Sequence, residues 1–128
     1  VVRPHSKQVG EEPYDRWNRR SILLMNESNY SDAHLFPFSY RDNGVGKLVG
    51  MPVAGTGTAV WWEGLMDGKT VFGIPEVGLL DERGNFLENQ QLEPDFKVLN
   101  TPESLAAGRD LQIEKAVYEL LKELDEND

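Results

Sequence analysis

"SILLMNESNYSDAHLFPFSYRDNGVGKLVG" occupies residues 21–50, and the succession of patterns within it decides the fold. "SILLMN" at 21–26 is a short unalternated apolar run between polar ends, as expected of a strand buried on both faces of a parallel sheet. From about Asp32 to Asn43, the apolar residues Ala33, Phe36, Phe38 and Tyr40 mark a helix, and Asn43-Gly44 supplies its left-handed stop. Pro37 lacks a backbone donor and crowds the preceding turn at a cost of about 3 kcal/mol, which predicts a kink or a short first turn. "KLVG" at 47–50 reads as the next strand. Strand, helix and strand within roughly thirty residues form a β-α-β unit.

Beyond it the punctuation changes. Gly55, Gly57, Asp67-Gly68, Gly73, Gly78 and "DERGN" at 81–85 separate short runs of Val, Trp, Phe and Leu, a pattern of strands and hairpins. Trp61 and Trp62 are neighbours, so a strand sends them to opposite faces, one inward and one towards solvent, a partner or a cleft. Gly55 and Gly57 suit close approach of a peptide backbone. In "NTPESLAAG" at 100–108, Thr101 caps a short helix that has Pro102 at its first position and Gly108 at its close. Asp110 caps a longer helix, whose Ile113, Val117, Leu120, Leu121 and Leu124 form a stripe expected to pack inward. The fold class is α/β: a β-α-β unit, then short strands and hairpins, then C-terminal helices. Residues 1–20 mix charge with Gly10, Pro13, Tyr14 and Trp17 without a period and read as a lead-in arm.

At 128 residues, with 39% hydrophobic and 27% charged residues, the chain fits one folded domain rather than a disordered tail or a membrane protein. Thirteen basic and 22 acidic residues leave a net charge of −9, which repels phosphate backbones and anionic lipid and argues against nucleic acid as a partner. The absence of cysteine excludes disulfides and thiolate metal sites. No run approaches the roughly twenty apolar residues of a membrane span. The start, "VVRPHSKQVGEEP", has no apolar signal core, and the compartment stays open. A chain beginning at Val1 is expected of a piece of something longer.

The hydroxyls at the strand-to-helix joint pose the functional question. Read alone, Ser31 and Asp32 suit helix capping, since both side chains accept from first-turn N–H groups and a carboxylate is favoured at the positive end of the dipole. The other reading is chemical, with Ser31 as a nucleophile. "NYSDA" is not the G-x-S-x-G elbow of α/β-hydrolases. His34 shares a helix face with Ser31, but a base must come within about 2.6–3.2 Å of its nucleophile, and a ring leaning back along its own helix seldom aligns. His5, His34 and nearby carboxylates lack the spacing of metal ligands, so no metal and no cofactor is expected. Glu88, beside Asn89, reads by default as a solvent-facing edge residue.

Four segments, in order, resemble the C-terminal half of the catalytic core of the tricorn and C-terminal-processing serine peptidases: "LLMNESNYSDAHLFPF", "GVGKLVG", "GKTVFGIPEVGLLDERGNFLENQQLEPDF" and "NTPESLAAGRDLQIEKAVYELLKEL". The resemblance covers about residues 21–124. The joint N-E-x-x-x-S-D, the stretch E-N-x-x-x-E-P-D and the tail G-R-D-x-Q-x-E-K-A are its most specific parts. It implies a crotonase (ClpP)-like core fragment, with 21–128 forming the C-terminal half of a tricorn-like catalytic domain. Ser31 would attack a peptide carbonyl, and the Asp32 backbone N–H would be one of two oxyanion donors. The processing branch places a lysine 25 residues after the serine, where this chain has Thr56. The tricorn-like branch uses an upstream histidine as base, an upstream serine to orient it and a late glutamate, which Glu88 matches. "PHS" at 4–6 lies too near Ser31 to be the upstream pair. The implied partners are a peptide or unfolded protein substrate and the remainder of the peptidase chain, and a homo-oligomer is compatible. The fragment by itself would be inactive, and apolar faces that the missing half covers would be exposed or self-associated. The competing reading is a non-catalytic binding or assembly module with a degenerate peptidase fold.

Overall fold

The computed structural model describes Trp17 and residues 19–126. Most of the expected lead-in arm, with His5, lies outside the described residues. The strands are β1 (Ser21–Met25), β2 (Gly46–Gly50), β3 (Thr58–Gly64), β4 (Val71–Gly78) and β5 (Phe96–Lys97), and the helices are α1 (Asp32–Asp42), α2 (Pro102–Ala106) and α3 (Leu111–Asp125).

The β-α-β unit forms as its pattern predicts. β1 pairs parallel with β2 in register from Ser21–Gly46 to Met25–Gly50, and α1 packs on β2. α1 ends where Gly44 takes φ 65°, a conformation that costs glycine little. The helix passes through Pro37, which is buried. Its missing donor would have served the Ala33 carbonyl, and that oxygen instead accepts the Asn29 side-chain amide at 2.9 Å. The freed carbonyl is satisfied by the loop just upstream, so the proline does not end the helix.

β5 is too short to announce itself in the sequence, yet it completes a three-stranded sheet ordered β1-β2-β5. The preceding Asp95 aligns it: its carboxylate accepts the Leu48 N–H at 2.7 Å while its own N–H donates to the Leu48 carbonyl at 2.9 Å. Met25, Leu48, Val53 and Leu92 form the core, with Leu23, Phe38 and Tyr40 packed against it. Thr101 caps α2 by accepting the Ser104 N–H, and Asp110 caps α3 by accepting those of Gln112 and Ile113.

Three burial expectations are corrected. β1, expected to be buried on both faces, is buried only in part: Met25 is enclosed while Leu24 is exposed, and among the described residues the strand lies at the edge of its sheet. β3 and β4 form a separate antiparallel ribbon, and Trp61 and Trp62 are both exposed, at 63% and 66%. A two-stranded ribbon has no second layer to bury either face, so neither tryptophan turns inward. On α3, Ile113, Val117, Leu121 and Leu124 are exposed and Ala116 and Glu119 are buried. The helix sits on β1 and β2 by the side carrying small Ala116, where Lys115 pairs with Glu119 and lies 4.8 Å from the Phe96 ring centroid. The apolar stripe faces away from the sheet. No helix among the described residues is long and apolar enough to cross a membrane.

Candidate active site

The joint between β1 and α1 is built from asparagine side chains. The Asn26 carboxamide oxygen accepts the Ser28 N–H at 2.9 Å, and that of Asn29 accepts the Asn26 N–H at 3.2 Å. This turn delivers Ser31 at φ 54°, ψ −118°. Such a conformation costs a non-glycine residue about 1–3 kcal/mol and persists only where the surroundings enforce it.

The capping reading of Ser31 fails on geometry. Its side chain makes no capping hydrogen bond, and its contribution to α1 is the backbone carbonyl, which accepts the His34 and Leu35 N–H groups at 2.7 and 3.1 Å. The hydroxyl is therefore not engaged in closing the helix. The Asp32 N–H has no acceptor among the described residues. It belongs to the first turn, where free N–H groups and the positive end of the helix dipole coincide.

Opposite the joint, Gly55-Thr56-Gly57 ties three parts of the chain together. The Thr56 hydroxyl accepts the Ser31 N–H at 2.8 Å, and the Thr56 N–H donates to Nδ1 of His34 at 3.2 Å. The Gly57 N–H donates to Oε2 of Glu88 at 2.8 Å, and the Gly55 carbonyl accepts the Asn89 N–H at 3.0 Å. A Cβ on Gly55 would lie 2.2 Å from the Gln90 nitrogen, and one on Gly57 would lie 2.8 Å from the Leu87 Cβ. Both glycines thus serve close approach to the 87–90 segment of this chain, a different use from the peptide approach their sequence suggests.

These contacts place Ser31, Thr56 and Glu88 around one cleft of about 310 Å³, with Tyr30, Val60 and Pro75 forming apolar wall. Glu88 is half-buried and anchored by its bond to Gly57, not a free edge residue. His34 is 1% exposed and turns Nδ1 to Thr56, so the local Ser-His pair is absent, as the helix geometry predicts. Among the described residues, no histidine or lysine lines the cleft. A larger groove of about 520 Å³ lies elsewhere, against Ile22, Phe36 and Tyr40, and is almost wholly apolar. The described residues hold no cluster of three or more side chains suited to a metal. Sequence reasoning missed the structural parts of Asn29 and Thr56. The 25-residue interval from Ser31 singles out Thr56, but spacing alone did not reveal a backbone contact.

The sequence model described as Peptidase family S41 matches residues 2–98. The chain belongs to Peptidase family S41. The tricorn protease of Thermoplasma acidophilum is 28% identical over 122 residues, which are 94% of this chain and 11% of that protein. The crystal structure of the tricorn protease superposes with a TM-score of 0.77 at 26% identity, over 94% of this chain and 13% of the other. The structure of mature CPAF complexed with lactacystin gives a TM-score of 0.76 at 25% identity, over 91% of this chain and 23% of the other. This S41 chain spans from 11% to 20% of the length of the curated relatives it matches.

Proposed function

We propose that this S41 chain carries part of the active site of a tricorn-like serine peptidase, with Ser31 as nucleophile, the Asp32 N–H as an oxyanion donor and Glu88 as the orienting carboxylate. The observation that carries the reading is the state of Ser31: exposed at a cleft, held at positive φ, with its hydroxyl making no capping bond and with an N–H on the next residue that has no acceptor among the described residues. Acyl transfer needs a nucleophile, a base and donors where negative charge develops. Among the described residues the cleft supplies a hydroxyl, an amide and a carboxylate, and this reading assigns the base and the second oxyanion donor to the remainder of the peptidase chain. The intact domain is crotonase-like, with residues 1–20 a lead-in arm and 21–128 its C-terminal half. The substrate is a peptide or unfolded protein, the nearest partner is the remainder of the peptidase chain, and self-association into a homo-oligomer fits the exposed apolar faces. Losing one oxyanion donor typically costs about a hundred- to a thousand-fold in rate, and the 128-residue piece alone is accordingly inactive.

A serine-reactive phosphonate on the full-length protein tests this. Covalent labelling that maps to Ser31 and disappears in Ser31→Ala is expected. A full-length protein that takes no label, or keeps it in Ser31→Ala, overturns the assignment.

A further inference from the structure

We infer that Thr56 is a positioning residue that clamps the backbone of Ser31 and so aims its hydroxyl, an inference that rests on the reading of Ser31 as nucleophile. Ser31 cannot hold φ 54° by its own preference, because a side chain at positive φ meets its own backbone. Something must hold it there. The Thr56 hydroxyl reaches across 25 residues to accept the Ser31 N–H at 2.8 Å, and no other side chain bonds that nitrogen among the described residues.

The clamp is itself fixed at the other end. The Thr56 N–H is tied to Nδ1 of His34, which is buried one turn along the helix that Ser31 begins. Ser31, Thr56 and His34 therefore form a closed circuit: Ser31 to the Thr56 hydroxyl, the Thr56 backbone to His34, and α1 back to the joint. One end is the residue just before α1 and the other lies in its first turn, so the loop is fixed to the start of that helix at two points. The next residue in the same loop holds Glu88 through Gly57, so one three-residue segment sets the nucleophile and the carboxylate relative to each other. The Thr56 hydroxyl oxygen accepts a hydrogen bond from the Ser31 backbone N–H, which is a positioning contact and not a proton transfer.

Thr56→Val keeps the branched shape and removes the acceptor, whereas Thr56→Ser keeps the oxygen. In the full-length protein, phosphonate labelling resolves into a binding constant and a maximal rate of covalent attack. In Thr56→Val the attack rate falls roughly ten- to a hundred-fold, the scale of a nucleophile misplaced by about an ångström, a larger factor than any change in the binding constant. In Thr56→Ser it stays within about threefold of the parent. Amide hydrogen exchange at Ser31 is read in the same three proteins and needs no activity. It accelerates at least tenfold in Thr56→Val only. Equal attack rates in parent and Thr56→Val, equal losses in Val and Ser variants, or unchanged Ser31 exchange would each overturn the clamp. If the parent takes no label while Ser31 exchange still accelerates in Thr56→Val, the nucleophile assignment fails and the backbone clamp stands.

Discussion

Nδ1 of His34, a ring only 1% exposed, accepts the Thr56 N–H at 3.2 Å. The ring is thus used as a buried acceptor, with its lone pair on Nδ1. An unpaired buried N–H costs about 1–3 kcal/mol, and removing the ring adds a cavity. His34→Ala should lower unfolding stability in urea by about 2–4 kcal/mol. His34→Asn, whose side-chain oxygen can replace Nδ1, should recover part of the loss. If His34→Ala matches the parent, the histidine is not what holds the loop.

On the proposed reading Glu88 has a catalytic duty as well as a structural one, and the structural one is its bond to the N–H of buried Gly57. Glu88→Gln keeps an oxygen for that N–H and removes the charge, whereas Glu88→Ala strands the donor. Stability should therefore fall by about 1–3 kcal/mol in Glu88→Ala and by less than about 0.5 kcal/mol in Glu88→Gln. Phosphonate labelling of the full-length protein should drop in both. A glutamine variant with full labelling would leave Glu88 a purely structural residue.

How far the sequence could be read follows from the range of each interaction. The β-α-β unit, the stop at Gly44 and the caps at Thr101 and Asp110 depend on neighbours within a few residues, and the structure has all of them. β5 was not legible, since two residues carry no period and the pairing depends on Asp95 meeting Leu48. The stripe on α3 was legible as amphipathic but not in its orientation, because periodicity identifies a face without saying what lies against it. In the proposed site, Ser31, Asp32 and Glu88 are named by the family resemblance and not by local pattern. The contact between Thr56 and His34 was not legible, because it links residues 22 apart through a backbone donor that any residue could supply.

Gly55 offers a sharp steric test. A Cβ there would lie 2.2 Å from the Gln90 nitrogen and 2.6 Å from the Gln90 oxygen, both backbone atoms. No rotamer change relieves that contact, so the loop must separate from the 87–90 segment. Gly55→Ala should destabilise by about 1–3 kcal/mol or more and loosen the Gly57–Glu88 bond, read as faster exchange of the Gly57 amide. Gly64→Ala is the control: nothing lies within 4 Å of its added Cβ, and its effect should stay within about 0.5 kcal/mol.

The turn of the β3–β4 ribbon should respond to acid. The Asp67 carboxylate accepts the Thr70 hydroxyl and the backbone N–H groups of Thr70 and Lys69, and these bonds pull it from an ordinary 3.8 down to about 2. A carboxyl depressed by folding stabilises the folded turn above its ordinary value and loses that contribution as pH falls from 3.8 through about 2. Carboxyl NMR should show a midpoint near 2, and Thr70→Val should raise it towards 3.8. Exchange at Lys69 and Thr70 should accelerate across the same interval. A parent midpoint near 3.8 would contradict the turn.

The outward stripe of α3 makes a prediction about association. Ile113, Val117, Leu121 and Leu124 are 45–55% exposed, and Tyr118 beside them is 62% exposed. Contiguous apolar surface of this kind favours contact with another apolar face, while a net charge of −9 opposes self-association. Salt should tip the balance, since the screening length is about 8 Å at 0.15 M. The 128-residue chain should therefore bind an apolar dye and sediment as a concentration-dependent oligomer, more so as salt rises. Val117→Gln with Leu121→Gln leaves the net charge unchanged and alters two exposed positions, so the far-ultraviolet circular dichroism should be preserved. Dye binding and association should fall together in that variant. A parent chain that stays monomeric at high salt with no dye signal would mean that this face is not adhesive, whatever its exposure.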